Sequence, residues 1–152
     1  MRRFLVVANQ TLGGAKLAAE IDTRIGQGPA VFHVLVPATP APELRVALTT
    51  HAAAGGDITP FVEQAEVEAR RRLDRELARI RGLGGTATGE IAEPDPMVAI
   101  RSRLEHEKPD ELILSTLPAG ISRWLGMDLP KRLQRVTDVP VTVVIGSRND
   151  DV

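Results

Sequence analysis

The sequence predicts an α/β protein in which one doubly wound, five-stranded parallel sheet carries helices on both faces. Two patterns indicate this fold class. Short apolar runs rich in branched residues, which are typical of buried parallel strands, recur along the chain. Between them lie amphipathic helical segments, and a strand–helix–strand order requires parallel strands. No linker or repeat divides the chain, so we expect one domain over residues 1–147 and a flexible tail over residues 148–152.

The composition excludes several classes of function. Hydrophobic residues make up 43% and charged residues 26%, as in an ordinary globular protein. A formal net charge of -1 argues against a general nucleic-acid or membrane-surface binder, and no apolar run approaches the roughly 18 residues of a membrane span. The absence of cysteine excludes disulfides and thiol chemistry. We expect a cytoplasmic protein, and the excess of arginine over lysine suggests a bacterial source.

The first strand–helix–strand unit is visible from its periodicity. Residues 4–8 and 30–36 are unbroken apolar runs and are expected to form the first two strands. Gly13 and Gly14 open the helix between them. The apolar face of this helix consists of Leu17, Ala18, Ile21 and Ile25. The unit predicts two neighbouring parallel strands joined by a right-handed crossover.

Residues 37–60 interrupt the pattern with four prolines, and residues 43–54 within them could form a short helical turn. A segment of this length is either functional or a variable surface excursion, and both interpretations stay open. Thr59 and Pro60 then resemble an N-cap and a first helical position, which predicts a helix over residues 61–81. Its inward stripe is Phe61, Ala65, Ala69, Leu73, Leu77 and Ile80. The opposite face of glutamates and arginines is expected to be solvated.

The second half of the chain repeats the alternation. Residues 86–91 are a weaker third strand, and Asp95-Pro96 begins a helix that runs to about Glu107. Residues 111–116 are a short apolar run rich in branched residues and are expected to form the fourth strand. Residues 117–127 are expected to be an exposed loop.

That loop contains Trp124, whose expected role is either a lid on a pocket or a dimer contact. Asp128 is a suitable N-cap for a following helix. The inward face of this helix is expected to contain Leu129, Leu133 and Val136. Residues 141–145 form the last strand.

The segment Gly120-Ile121-Ser122-Arg123-Trp124-Leu125, followed by a helix and by Val139-Pro140-Val141-Thr142-Val143-Val144, resembles the universal stress protein family. Family members have a similar Gly-Leu-Ser-Arg-Leu-Leu segment and a similar closing strand at the same spacing. Residues 90–115 and the long insertion after the second strand also fit, so the resemblance covers nearly the whole chain. It implies the strand order 3-2-1-4-5 and, commonly, a homodimer.

The chain departs from the family at the nucleotide motif. ATP-binding members carry G-x2-G-x9-G-[S/T] after the fourth strand, where glycines let backbone amides approach phosphates. Aligned without gaps, the first two glycines fall on Leu114 and Leu117, and the final pair falls on Met127 and Asp128. A carboxylate at Asp128 would compete with a phosphate for the helix N-terminus. The acidic residue that usually follows the first strand is replaced by Asn9.

A ligand pocket between strands one and four is still expected, because ligands of such sheets collect at the carboxyl ends of the strands. The predicted ligand-binding residues are Asn9, Gln10, Thr11, Val36, Ser115, Thr116, Gly120, Ser122 and Arg123. Val36 is included because the resemblance implies a strand-two residue beside the adenine. Arg123 is expected either to pair with an anionic ligand or to be solvated or paired with Asp128.

These observations favour a universal-stress-type binding or regulatory module that is not an enzyme. The alternative is an ATP- or AMP-binding member with slow hydrolysis, in which Ser115, Gly120, Ser122 and Arg123 hold the phosphates. A third possibility, unrelated enzyme chemistry on the same sheet, lacks a nucleophile–base pair. The three histidines are too far apart to suggest a metal site. The uncharged strand Val141-Ile145 is the predicted sheet edge, and pairing with its copy in a second subunit would cover it.

Overall fold

A computed structural model describes residues 1–40, 42–118 and 122–146, and within these ranges strands alternate with helices. The strands are β1 (Arg2–Val7), β2 (Ala30–Pro37), β3 (Thr86–Ala92), β4 (Glu111–Thr116) and β5 (Val141–Ile145). The helices are α1 (Ala15–Gly26), α2 (Pro42–Ala53), α3 (Thr59–Gly82), α4 (Pro96–His106), α5 (Arg123–Gly126) and α6 (Leu129–Val136). The tail predicted at residues 148–152 lies outside the described residues.

The five strands form one parallel sheet in the order β3-β2-β1-β4-β5, which confirms the predicted fold class and strand order. In the central register, Val6 of β1 lies between Val34 of β2 and Ile113 of β4. The chain adds strands on one side of β1 and then on the other. The switch point of the sheet is therefore the crevice between the ends of β1 and β4.

Alternating side chains of the strands divide the core into two layers, as expected for successive residues that point to opposite faces. Phe4 and Val6 of β1 pack with α1 and α3, whereas Leu5 and Val7 pack with α4, α5 and α6. Each layer contains fully buried residues of both the sheet and its helices. Both faces of the central strands are therefore covered, which explains the continuous apolar runs Phe4–Val7 of β1 and Leu112–Leu114 of β4.

The start and the charged face of α3 differ from the prediction. Thr59 is the first residue of the helix rather than its cap, because the carboxylate of Asp57 accepts hydrogen bonds from the backbone N–H and the hydroxyl of Thr59 at 3.0 and 2.8 Å. On the face predicted to be solvated, Glu76 is only 2% exposed. Arg79 explains this burial, because it binds Glu76 at 2.8 Å and Asp22 of α1 at 2.7 Å.

The segment after β2 contains more regular structure than the short turn predicted for residues 43–54. It forms α2, a helix of 12 residues. Leu44 and Leu48 lie one helical turn apart and are both half-buried. Both side chains line a cavity between α2, α3 and the end of β3, and part of the proline-rich segment is thus helical rather than extended.

The region between β4 and β5 also differs in detail. Part of the predicted loop forms the short helix α5, and Trp124 within it is only 5% exposed. Asp128 adopts a left-handed backbone conformation (φ 55°), and its side chain makes no capping hydrogen bond. Leu129 and Leu133 are fully buried as predicted. Val136 is 40% exposed, because it is the last residue of α6, where the chain turns away toward β5.

No helix in the described parts of the chain combines the length and apolar character needed to traverse a bilayer.

Candidate functional site

A small cleft lies at the switch point, where the ends of β1 and β4 meet the segment that follows β2. It is lined by Asn9, Gln10, Thr11, Thr39, Pro40, Arg45, Ser115, Thr116, Leu117, Ser122 and Trp124. The structure thus brings together six of the nine predicted site residues. They are Asn9, Gln10, Thr11, Ser115, Thr116 and Ser122. Parallel pairing explains this convergence, because it places the carboxyl ends of all strands at one edge of the sheet.

Four hydroxyl groups in the cleft are bound to each other in pairs. Thr11 Oγ1 and Ser115 Oγ lie 2.6 Å apart, and Thr116 Oγ1 and Ser122 Oγ lie 2.5 Å apart. Ser122 Oγ also accepts a hydrogen bond from the backbone N–H of Leu125 at 3.1 Å, which ties it to α5. Hydroxyls arranged in this way can donate to or accept from a polar ligand. No carboxylate or imidazole lines the described cleft, so nothing there would activate a serine as a nucleophile.

Asn9 fastens the end of β1 to the chain that leaves β2. Its amide group donates to the carbonyl oxygens of Pro37 at 3.0 Å and Thr39 at 3.2 Å. Its Oδ1 accepts a hydrogen bond from Arg72 of α3 at 3.0 Å, and the side chain is buried. Both amide hydrogens therefore serve the protein itself. An aspartate at this position could not make the two donations, because an ionised carboxylate only accepts hydrogen bonds.

Trp124 closes the cleft from the α5 side. Its indole Nε1–H donates to Thr39 Oγ1 at 3.0 Å, and Thr39 Oγ1 donates to the carbonyl oxygen of Pro94 at 2.6 Å. Both Trp124 and Thr39 are about 5% exposed. The prediction that Trp124 lies in an exposed loop was therefore wrong: the ring is sequestered because Thr39 satisfies its only polar group.

With these contacts in place the cleft encloses a volume of about 20 Å³. That volume is enough for about one water molecule. Thr39, Pro40, Arg45 and Leu117 were not among the residues predicted to line the pocket, and Trp124 was expected to be either a lid on the pocket or a dimer contact. Thr39 and Pro40 follow the end of β2 directly, so the strand-end rule could have found them. The sequence contained no comparable signal for Arg45, because α2 brings it to the cleft.

Of the three remaining predicted site residues, Val36 has a described side chain, and it does not line the cleft. Val36 is fully buried, and its side chain packs in the core layer of α1 and α3. Gly120 lies outside the described residues. Arg123 begins α5, but its side chain also lies outside the described part of the chain, so neither its predicted anion contact nor a pair with Asp128 is addressed.

His33 of β2 lies away from the cleft and contacts β3. Its ring nitrogens are hydrogen-bonded to Thr88 at 2.7 Å and Glu90 at 3.3 Å. Partial burial lowers the pKa of His33, and the hydrogen bond with Glu90 only partly opposes this effect. In the described ranges, no group of three or more histidine, aspartate or glutamate side chains could hold a metal ion.

Comparison with known proteins identifies the fold. No protein-family model matches the sequence, and no curated protein gives a significant match. Among solved structures, the chain is similar to a protein from the universal stress protein family from Burkholderia pseudomallei, with a TM-score of 0.54, 17% identity and coverage of 93% of this chain and 94% of that chain. A universal stress protein from Archaeoglobus fulgidus gives a TM-score of 0.54 at 14% identity, with coverage of 95% and 93%. The chain therefore shares the fold of these two universal stress protein structures over nearly its whole length.

Proposed function

We propose that this protein is a universal-stress-type binding or regulatory module that is not an enzyme and does not hold ATP at its switch-point cleft. The observation that carries the proposal is the hydrogen bonding of Asn9. Its side-chain N–H groups donate to Pro37 and Thr39, and its Oδ1 accepts from Arg72, so the side chain has no donor left for a ribose or a base. The enclosed volume of about 20 Å³ supports it. Small-molecule sites occupy about 300 Å³ or more.

The chemistry of the described cleft supports a binding role rather than catalysis. Its serine and threonine hydroxyls bond to one another, and Arg45 is the lining residue that carries a charge. A hydrolase would need a base to activate water or a serine. A small polar molecule could exchange hydrogen bonds with the hydroxyls once the bond between Trp124 and Thr39 opens.

Calorimetry with ATP and AMP tests the proposal directly. The purified protein is first denatured, and the supernatant is analysed for released nucleotide. We expect no nucleotide and no binding heat at micromolar ligand. Micromolar ATP binding that is abolished in Ser115→Ala and retained in a surface control, Thr23→Ala on α1, would overturn the proposal in favour of the alternative. That alternative, an ATP- or AMP-binding protein with slow hydrolysis, draws on the paired hydroxyls of Ser115 and Ser122 at the end of β4.

Trp124 offers a direct way to find the ligand, because it is the only tryptophan in the sequence. Its fluorescence therefore reports on the cleft alone. A small polar molecule that enters should displace the indole from Thr39 and shift the emission to longer wavelength. A Thr39→Val variant, which already lacks the hydroxyl, should show that shift without ligand. Unchanged emission in this variant would argue that the cleft is not held shut by the bond.

We further propose that the protein forms a homodimer through the edge strand Val141-Ile145. β5 lies at the edge of the sheet, and its Val143 and Ile145 are 38% and 45% exposed. An uncharged edge strand is a liability unless another chain covers it. Light scattering at micromolar concentration should give twice the monomer mass, and Val143→Lys should halve it. The control Val98→Lys changes a similarly exposed valine (43%) on α4. A monomeric wild-type protein would contradict the proposal.

A further inference from the structure

A second and much larger cavity lies between α2, α3 and the end of β3. It encloses about 410 Å³, within the range of small-molecule sites. Its lining residues are Ala38, Pro40, Leu44, Leu48, Val62, Ala65, Glu66, Ile91, Ala92, Glu93 and Pro94. Nine of these eleven residues are apolar. We infer that this cavity binds a small apolar molecule that carries one positive charge, independently of the function proposed for the cleft.

Apart from Ile91 and Ala92, which pack against the two core layers, the residues that line the cavity belong to neither layer. Leu44, Leu48, Ala65 and Ile91 are only half-buried, although all four point into the same space. α2 contributes no described residue to either core layer, so its leucines have this cavity as their apolar surroundings. Protein interiors normally close such space to near-crystalline density. Apolar side chains that border 410 Å³ of open space provide a surface on which a guest molecule can be desolvated.

The charge of the guest follows from the two acidic residues of the lining. Glu66 comes from α3 and Glu93 follows β3, so the carboxylates belong to different walls. Among the described residues, neither forms a hydrogen bond or an ion pair, and the lining contains no lysine, arginine or histidine. Both glutamates are exposed at the rim of the cavity. An anionic guest would be repelled by both carboxylates, whereas an ammonium group would be attracted by both while its apolar body enters the cavity.

A matched pair of probes tests this inference. Phenylbutylammonium and phenylbutyrate have the same apolar body and opposite charges, and each is titrated into the full-length protein by NMR. We expect the ammonium to bind more tightly by about fivefold or more, since each exposed ion pair contributes modestly. The shifted amides should belong to α2, the first half of α3 and the end of β3. Absence of binding, equal affinity for the two probes, or shifts elsewhere would overturn the inference.

Variants separate the contributions of shape and charge. Leu48→Trp should fill the cavity and abolish binding, whereas Val46→Trp, which adds the same ring at a 68% exposed position of α2, should leave it intact. The double variant Glu66→Gln/Glu93→Gln should remove the preference for the cation and retain weak binding of both probes. It also keeps the test decisive if Leu48→Trp does not fold. A preference that persists in the double variant, or a self-association that blocks the probes, would refute the cation site.

Discussion

The indole N–H of Trp124 and the hydroxyl of Thr39 meet across 85 residues of sequence in a hydrogen bond of 3.0 Å. The Thr39 hydroxyl in turn donates a hydrogen bond to the carbonyl oxygen of Pro94 at 2.6 Å. This relay joins the segments that follow β2, β3 and β4 at the edge of the sheet where ligands of this fold class collect. The contact that seals the cleft is therefore also one that holds three connecting segments together.

Removing the indole donor should weaken this relay measurably. We expect Trp124→Phe to lower the free energy of unfolding by about 1 kcal/mol beyond its packing cost, the usual worth of such a bond. Urea unfolding of Trp124→Phe, Thr39→Val and the double variant gives the coupling between the two side chains. A coupling of about 1 kcal/mol is expected. Strictly additive losses would mean that the bond contributes nothing to stability.

A buried ion pair at the amino-terminal ends of the strands should contribute more to the free energy of unfolding than the bond between Trp124 and Thr39. Arg24 of α1 binds Glu111 of β4 at 3.0 and 2.5 Å, and both side chains are about 10% exposed. Glu111→Gln should cost about 2 kcal/mol, because Arg24 loses a charged hydrogen-bond partner in a largely buried site and keeps only Glu20, which it binds at 2.5 Å. Thermal and urea unfolding measure the loss. Lys108→Met, which breaks an exposed pair with Asp138, is the control and should change stability little. Similar losses of stability in Glu111→Gln and Lys108→Met would contradict the larger contribution of the buried ion pair.

The same carboxylate should make folding sensitive to acid. Burial disfavours the ionised form of Glu111, but hydrogen bonds from Arg24 and Thr142 outweigh that effect, so the pKa of Glu111 in the folded protein lies below its ordinary value of 4.5. Its contribution to stability is thus fully present above pH 4.5 and is lost as the pH falls through the folded-state pKa. Unfolding curves from pH 7 to about pH 3 should show the wild-type advantage over Glu111→Gln shrinking below pH 4.5. A constant gap would contradict this coupling.

Gly89 of β3 should be intolerant of a larger side chain. A Cβ atom at this position would lie 2.6 Å from Leu73 Cδ1 of α3 and 3.0 Å from the carbonyl oxygen of Val34. Gly89→Ala should therefore destabilise the protein by about 1–3 kcal/mol through overpacking. Gly26→Ala is the matched control, because nothing lies within 4 Å of its Cβ position and its conformation is helical. The control should stabilise α1 slightly. A neutral Gly89→Ala would show that α3 can move away from the sheet.

The fold and the position of the cleft could be predicted because both follow from short-range patterns. Apolar runs such as residues 4–8 and 111–116 identify parallel strands, and the helices between them allow few topologies. Once the strand order is known, residues that follow β1 and β4, among them Asn9 and Ser115, must meet at one edge. The hydroxyl and amide composition of the cleft was therefore readable from the chain alone.

How far the cleft is closed depends on contacts between residues that are distant in the sequence. Asn9 bonds to Thr39 and Arg72, and Trp124 bonds to Thr39, at separations that no local pattern encodes. The same is true of Arg24 and Glu111, which are 87 positions apart in the sequence. The length of α2 was underestimated, because Leu44 and Leu48 find apolar surroundings only in the cavity that they line together with α3. Local periodicity thus decides where strands and helices form, whereas tertiary packing decides which polar groups bind one another, and hence how much of the crevice stays open to a ligand.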